Sequence, residues 1–361
     1  MADQIDNVTA KATYEVVNHK NEVYGFKARW VVCGNHQQKK EDSIFYSPVI
    51  SNTLVKIIFT IVAQRNYAWK QFDAVAVYLN ASREHEEVIY VIQPPGFEYS
   101  EPEIGPKGWV CQLNQALYGL RDSAKLWNED LNIKLNNIGF VPLDDDPCVY
   151  IKGSGETAWY LIVHVDDFIA AAPTKEEVDQ IFKEVQSEFD IKDIGEPSRF
   201  LGSAVVRDYK NRTITLSQQV YIEEILRLAE MQNCKEAAIP LSSSWIWDNE
   251  NEDPETLLHG KEHTRYRSIV GRLNWLAVET RPDIKFAVMK LQHRAANPTE
   301  RDLQAARQVY CYLKRTKDFA ITLGCVKDQR FYAYTDTSHG DWPDKKSTEG
   351  TIWFFAGAPI I

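Results

Sequence analysis

Leu161-Ile-Val-His-Val-Asp-Asp-Phe-Ile-Ala-Ala-Ala172 is an apolar run broken near its middle by two adjacent carboxylates, Asp166 and Asp167. Burying one unpaired carboxylate among Ile, Val and Phe is costly, and burying two side by side is worse. The pattern predicts a strand–turn–strand that lifts the pair out of a hydrophobic sheet. Two readings are open for such a pair alone. The side chains of a surface hairpin can simply face water. Alternatively, a divalent cation can sit between the charges and a polyphosphate substrate, the arrangement of metal-dependent phosphoryl or nucleotidyl transfer.

A third carboxylate lies upstream, in Gln71-Phe-Asp-Ala-Val-Ala-Val-Tyr-Leu79. Asp73 falls within an apolar strand expected over Trp69–Leu79, and Tyr78 follows five residues later. Alone, an Asp so placed caps the next helix. Combined with Asp166 and Asp167 it makes a three-carboxylate set for two metal ions. One ion would activate a primer 3′ hydroxyl, and the other would hold a triphosphate and its leaving pyrophosphate.

The rest of the composition sets bounds. A chain of 361 residues supports two or three domains, and 44% hydrophobic with 25% charged residues is ordinary for a globular protein. No apolar run reaches the roughly 18–20 residues of a membrane span. The longest candidates, Leu54–Ala63 and Ala158–Ala172, are interrupted by Lys56 and by the Asp pair, so no membrane is expected. Met1-Ala-Asp-Gln-Ile-Asp6 is acidic and unlike a signal peptide. Cys33, Cys111, Cys148, Cys234, Cys311 and Cys325 are scattered without a Cys-x-x-Cys, which suggests reduced thiols and no zinc site. The net charge is −10, yet Lys261–Lys317 carries 13 Lys and Arg against 5 Asp and Glu. Such a block is either a phosphate-binding footprint or the solvated faces of helices.

Strands are expected at Thr13–Val17 and Lys27–Val32 around a turn Asn18–Glu22, at Glu87–Gln93, and at Gly108–Leu113. Helices are expected at Val55–Arg65 and Asp122–Ile138, and from Thr174 to Glu188 with Thr174 and Glu177 forming a capping box. Phe200–Val206 and Thr213–Leu216 read as a hairpin around Asn211. The chain then turns helical from Gln219, broken by a loop Ser242–Glu255, with helices at Tyr266–Glu279, Pro282–Ala295 and Thr299–Thr316. Strands return at Ala320–Leu323, Phe331–Thr335 and Thr351–Phe355. The fold class is α+β.

Nine short motifs follow one another in a distinctive order. They are Phe26-Lys-Ala-Arg-Trp-Val-Val-Cys-Gly34, Tyr46-Ser-Pro-Val49, Gln71–Asn80, Pro94-Pro-Gly-Phe97, Gln115-Ala-Leu-Tyr-Gly-Leu-Arg121, His164-Val-Asp-Asp167, Phe200-Leu-Gly202, Arg281-Pro-Asp283 and Lys346-Ser-Thr-Glu-Gly350. Together they resemble the reverse transcriptase of copia-type LTR retrotransposons, from about residue 20 to the end.

The resemblance implies a right-hand polymerase of fingers, palm and thumb with a truncated ribonuclease H-like C-terminal start. Residues 1–215 would form fingers and palm, 216–318 the thumb and connection helices, and 319–361 the partial ribonuclease H-like segment. It implies Asp73, Asp166 and Asp167 as catalytic metal ligands for Mg2+ or Mn2+, and Tyr78 as the gate beneath the incoming sugar. Lys27, Arg29, Gly119 and Lys192 would contact the nucleotide, with Gly119 allowing close backbone approach. Phe200, Leu201 and Gly202 match the primer grip, and the basic block would track the duplex backbone. Asp336, in Tyr332-Ala-Tyr-Thr-Asp336, matches the first metal ligand of a ribonuclease H. That fold draws further carboxylates from later elements, and the chain stops at Ile361.

The implied partners are an RNA or DNA template-primer duplex, deoxynucleoside triphosphates, and integrase and protease segments of one polyprotein. The implied location is a cytoplasmic virus-like particle or the nucleus. Four features depart from the pattern: His164 stands where Tyr is usual before the Asp pair, Asp122 and Ala124 where Gln and then Pro are frequent, Cys33 where a basic residue is common, and the N-terminus is expected to begin inside the fingers without the upstream segment that normally completes them. Two alternatives stay open. One is a catalytically inactive, truncated relic that keeps nucleic-acid binding; the other is a different two-metal nucleotidyl transferase or cyclase on a similar palm.

Overall fold

The computed structural model describes the chain except residues 1–4, 7, 18–22, 35–36, 38–44, 84–87, 95–108, 248–256, 325–329, 341–344 and 361. The expected turn Asn18–Glu22, most of the Pro94–Phe97 motif, and the end of the loop expected at Ser242–Glu255 lie outside the described residues, as do the side chains of residues 5–29. The chain divides into two compact units. One comprises residues 1–50 and 68–196; the other comprises residues 51–67, which include helix α1 (Asn52–Arg65), and residues 197–361.

The first unit is built around a six-stranded sheet in the order β11-β4-β10-β9-β8-β7. Its strands are β4 (Ala68–Ala74), β7 (Val141–Pro142), β8 (Val149–Lys152), β9 (Trp159–His164), β10 (Asp167–Ala172) and β11 (Ile191–Gly195). Alternation decides what each face buries. Phe72 and Ala74 of β4, with Phe168, Ala170 and Ala172 of β10, share a core with Leu161 and Val163 of β9. Phe72 and Phe168 are direct cross-strand partners whose rings stack at 5.3 Å.

Helices α2 (Ser123–Asn137) and α3 (Lys175–Glu188) bury Trp127, Leu131 and Leu135, and Val178, Ile181 and Val185, in that same core. The expected capping box is present: Thr174 Oγ1 accepts from the Glu177 N–H while Glu177 accepts from the Thr174 N–H. Lys70 ties the layers together by pairing with Asp179 of α3 at 2.7 Å and Asp193 of β11 at 3.0 Å. Smaller sheets complete the unit. β1 (Ile5–Asp6), β5 (Tyr90–Ile92) and β6 (Val110–Gln112) form one, and β2 (Val8–Val17) with β3 (Val23–Val32) form the other.

One expected element ends early. The strand anticipated over Trp69–Leu79 stops at Ala74, because Ala76 adopts the left-handed φ of +52° and breaks the ladder. Val77–Asn80 then closes into a 3-10 turn, with the Leu79 N–H donating to the Ala76 carbonyl at 2.8 Å. Tyr78 therefore sits on a turn, not a strand.

The second unit has an antiparallel sheet β12-β13-β14-β15, formed by Arg199–Phe200, Ser203–Asp208, Thr213–Ser217 and Ile321–Leu323. The strand expected over Phe200–Val206 is two strands. Leu201 and Gly202 take φ of +47° and +77° and turn the chain so that Phe200 pairs with Ser203. Two successive positive φ values are the signature of a two-residue hairpin turn. The hairpin anticipated around Asn211 is present, held by the Asp208 carboxylate, which accepts from the Asn211 N–H at 2.9 Å and its amide at 2.6 Å.

A helical core follows, from α4 (Gln219–Leu228), α5 (Ser243–Trp247), α6 (Gly260–Glu279), α7 (Lys285–His293) and α8 (Glu300–Arg315). It buries Ile222, Tyr266, Leu273, Leu276, Leu291 and Val309, each worth roughly 1.5–3 kcal/mol when fully removed from water. The loop expected at Ser242–Glu255 thus begins as a helix, because Trp245 packs into this core. The last sheet is β16 (Phe331–Ser338), β17 (Thr348–Phe355) and β18 (Ala358–Pro359). Helix α1 belongs to this unit because Ile57 and Ile61 pack on Phe355, Ala356 and Ile360, and Phe59 lies 6.0 Å from the Phe200 ring. No described helix is long and apolar enough to cross a membrane.

Candidate active site

Strand register assembles the carboxylates. Asp167, the first residue of β10, is paired with Asp73 of β4 on one side and with His164 of β9 on the other. Asp73 is in turn paired with Lys192 of β11. Residues directly opposite in a sheet share a face. His164, Asp167, Asp73 and Lys192 therefore form one rung across four strands, on the face opposite Phe72 and Phe168. Asp166 lies in the turn between β9 and β10 and completes the set of three. Lys192 is exposed, while Asp73 and Asp167 are half-buried.

The turn that carries Asp166 is held by backbone bonds. Val165 takes a φ of +58°, a conformation a β-branched residue seldom adopts. Its carbonyl accepts from the Trp127 indole N–H at 2.9 Å, and the Asp166 carbonyl accepts from the Ala74 N–H at 2.8 Å. Trp127 thus joins the helix beneath the sheet to the turn that carries Asp166.

Burial pushes the Asp167 carboxyl above its ordinary range. The Gln71 amide, which donates to it at 3.3 Å, partly offsets this; Asp166 adds to it and His164 opposes it. Tyr78 packs edge-on against Tyr118 with ring centroids 5.0 Å apart. Its hydroxyl is pushed up by burial, then by Tyr118 and by Asp166, which places the ring within electrostatic reach of the carboxylates. Tyr78, Trp127, Val163 and Val165 line a small open cleft together with Ser47, Pro48 and Cys148.

The Gln115–Arg121 motif has a packing role. The Val32 N–H donates to the Tyr118 carbonyl at 2.7 Å. Gly119, at φ +91°, lies so close to Val32 that a Cβ would overlap its carbonyl oxygen, and a Cβ on Gly34 would overlap the Gly119 carbonyl. Two glycines thus let the two segments cross. Gly119→Ala is expected to destabilise the first unit by about 3 kcal/mol, seen as a lower urea midpoint with circular dichroism as the probe. Asp122 also has a structural assignment. It forms the N-cap of α2 and an ion pair with the buried Arg83 at 2.6 Å.

The remaining predicted residues separate into groups. Lys27 and Arg29 lie on β3 opposite Tyr14 and Lys11, and their side chains fall outside the described residues. Phe200, Leu201 and Gly202 form the hairpin turn of the second unit, where Phe200 is buried and a Cβ on Gly202 would touch the Trp275 ring. Asp336 is exposed on β16. Part of the 261–317 basic block is internal, since Arg281 and Lys290 are buried; Lys317, at the surface, pairs with Glu223 at 2.7 Å. Sequence reasoning missed Gln71 and Trp127 as supports of the Asp turn. Gln71 had a signal, since it stands two residues before Asp73 on the same strand face; Trp127 had none beyond its helical spacing.

Among the described residues no three His, Cys, Asp or Glu side chains already converge as a closed metal cage. The donor chemistry nonetheless fits a hard cation. Three carboxylates offer only oxygen, which suits Mg2+ or Mn2+. The raised Asp167 carboxyl, crowded by Asp166, is the kind of group that a bound cation would stabilise.

The chain is similar to known proteins over most of its length. Residues 3–243 match the reverse transcriptase (RNA-dependent DNA polymerase) family. The chain is 31% identical to a retrovirus-related Pol polyprotein from transposon TNT 1-94 of Nicotiana tabacum, over 93% of this chain and 25% of that protein. It is likewise 31% identical to a Pol polyprotein from transposon RE1 of Arabidopsis thaliana, over 93% of this chain and 22% of that protein. The putative transposon Ty5-1 protein of Saccharomyces cerevisiae is 33% identical over 80% of this chain and 90% of its own length. The chain spans about a quarter of the length of the plant polyproteins it matches.

Proposed function

We propose that this chain, which belongs to the reverse transcriptase (RNA-dependent DNA polymerase) family, catalyses RNA-directed DNA synthesis through Asp73, Asp166 and Asp167. The observation that carries this reading is the register of Asp73 against Asp167, with Asp166 in the adjoining turn. These three side chains would hold two divalent cations. When bound, Mg2+ or Mn2+ would activate the primer 3′ hydroxyl and neutralise charge on the leaving pyrophosphate.

The protein's own groups set orientation and selectivity. Tyr78, braced by Tyr118, walls the space beside Asp166 where the sugar of an incoming deoxynucleoside triphosphate would lie, and its ring would clash with a 2′ hydroxyl. Lys192, at the end of the carboxylate rung, brings positive charge beside the triphosphate site, and we assign Lys27 and Arg29 the same task. Gly119 keeps the adjoining backbone close. The Phe200–Gly202 turn is assigned to gripping the primer strand of an RNA or DNA template-primer duplex.

On this reading residues 1–215 are fingers and palm, 216–318 thumb and connection, and 319–361 a ribonuclease H-like start with Asp336 as a ligand. The similarity to Pol polyproteins supports integrase and protease segments as companions. Primer extension on an RNA template with Mg2+ or Mn2+, comparing the chain with Asp166→Asn, tests the assignment. Extension is expected to fall by at least about 10³-fold, as removal of several kcal/mol of transition-state stabilisation requires. If the unaltered chain fails to extend yet binds duplex in a salt-sensitive way, the inactive-relic reading replaces this one.

A further inference from the structure

We propose that Cys234 and Cys311 form a reversible disulfide, a modification site in the second unit unrelated to the carboxylate chemistry. Cys311 lies on α8, and Cys234 lies in the segment that follows α4. That segment is fastened along α8 by bonds that do not involve sulfur. The Gln308 amide donates to the Ile239 carbonyl at 3.3 Å, the Ala237 N–H to the Cys311 carbonyl at 3.2 Å, and Lys314 Nζ to the Cys234 carbonyl at 2.8 Å. The Cys234 N–H closes a turn onto the Met231 carbonyl at 3.1 Å. Donors or acceptors at 308, 311 and 314 lie one helical turn apart, so the segment runs along one side of α8.

These bonds bring Cys234 alongside Cys311, close enough that the Cys234 thiol acts on the Cys311 thiol. Each is partly exposed, so a small oxidant can reach either one; Cys148, by contrast, is buried. Closing the pair requires an S–S bond of about 2.05 Å, and the segment's fastening along α8 holds the two cysteines near each other. Sequence spacing hid the pair, since it joins positions far apart in the chain.

The oxidant is a low-molecular-weight disulfide. The Cys234 thiolate attacks one of its sulfurs, forming a mixed disulfide and expelling one thiolate. Cys311 then loses its proton to solvent and attacks the Cys234 sulfur, expelling the second thiolate. Two protein thiols are oxidised by two electrons, and the oxidant is reduced to two thiols. Burial, reinforced by the Cys234 thiol, pushes Cys311 up to about 11, so it is protonated at neutral pH and acts second.

Incubating the whole chain with oxidised glutathione tests this. Thiol titration is expected to show two of the six cysteines lost, and non-reducing peptide mass spectrometry to show the Cys234 and Cys311 peptides linked, with reversal by dithiothreitol. The rate of closure should rise about tenfold per pH unit from pH 8 to 10, following the thiolate fraction. Cys311→Ser should stop at a stable glutathione adduct on Cys234. Six thiols retained, separate adducts on both cysteines without a link, or a link to any other cysteine would each overturn the proposal.

Discussion

Asp167→Asn should abolish primer extension, by at least about 10³-fold, while making the metal-free protein harder to melt. Burial holds the folded-state pKa of Asp167 above its unfolded value, with Asp166 adding repulsion. The ionised form therefore opposes folding. That penalty is complete above the folded pKa, shrinks as pH falls through it, and vanishes below the unfolded pKa. Asparagine removes the charge and keeps an oxygen to accept from Gln71. A gain of about 1 kcal/mol is expected in thermal melts at pH 8, narrowing toward pH 4. Mg2+ should then stabilise the unaltered chain more than the variant, because only the former keeps the full ligand set. A variant that melts lower than its parent at pH 8 would show that the Asp167 charge is already compensated in the fold.

Arg281→Ala is the largest stability loss expected, about 3–5 kcal/mol. Arg281 is 1% exposed. Its guanidinium donates to both Asp283 oxygens at 2.9 and 2.7 Å, and to the Thr316 carbonyl and hydroxyl at 3.0 and 2.6 Å. It also lies over the rings of Tyr312 and Phe319. One side chain thus ties the end of α6 to the end of α8, and truncation removes charge, donors and packing together. Urea denaturation of Arg281→Ala, Asp283→Ala and the double variant would measure this. The double variant should cost less than the sum of the singles, because each single change deprives the other charge of its partner. Additive losses would mean that the pair is not coupled.

That clamp marks where sequence reading ran short. Arg281 belongs to a recognisable motif and to a basic block read as either a phosphate-binding footprint or solvated helix faces; only the contacts with Thr316 and Tyr312 reveal its inward role. The Asp166/Asp167 hairpin was legible because two charges inside a β-branched run leave one arrangement open. The capping box at Thr174 was legible because both partners lie three residues apart. The Leu201–Gly202 turn was not, since nothing in a leucine announces a positive φ. Asp122 read as a departure from the motif, and only the structure shows Arg83 paired with it; Gly119 read as a nucleotide contact, and only the structure shows that packing against Val32 also requires its missing side chain. Pairings across long stretches of chain leave no periodic trace.

Helix α1 sets the order of events on the ribosome. It is translated before most of the first unit, yet its partners Phe200, Phe355, Ala356 and Ile360 emerge only after residues 68–196 have been made. Ile57, Ile61 and Phe59 must wait throughout that interval with their apolar faces uncovered. A polypeptide cut between the two units near residue 196 would strand this helix on the wrong piece. The N-terminal piece would carry a sticky amphipathic segment, and the C-terminal piece would lack a wall of its core, so neither would be a sound unit for separate expression.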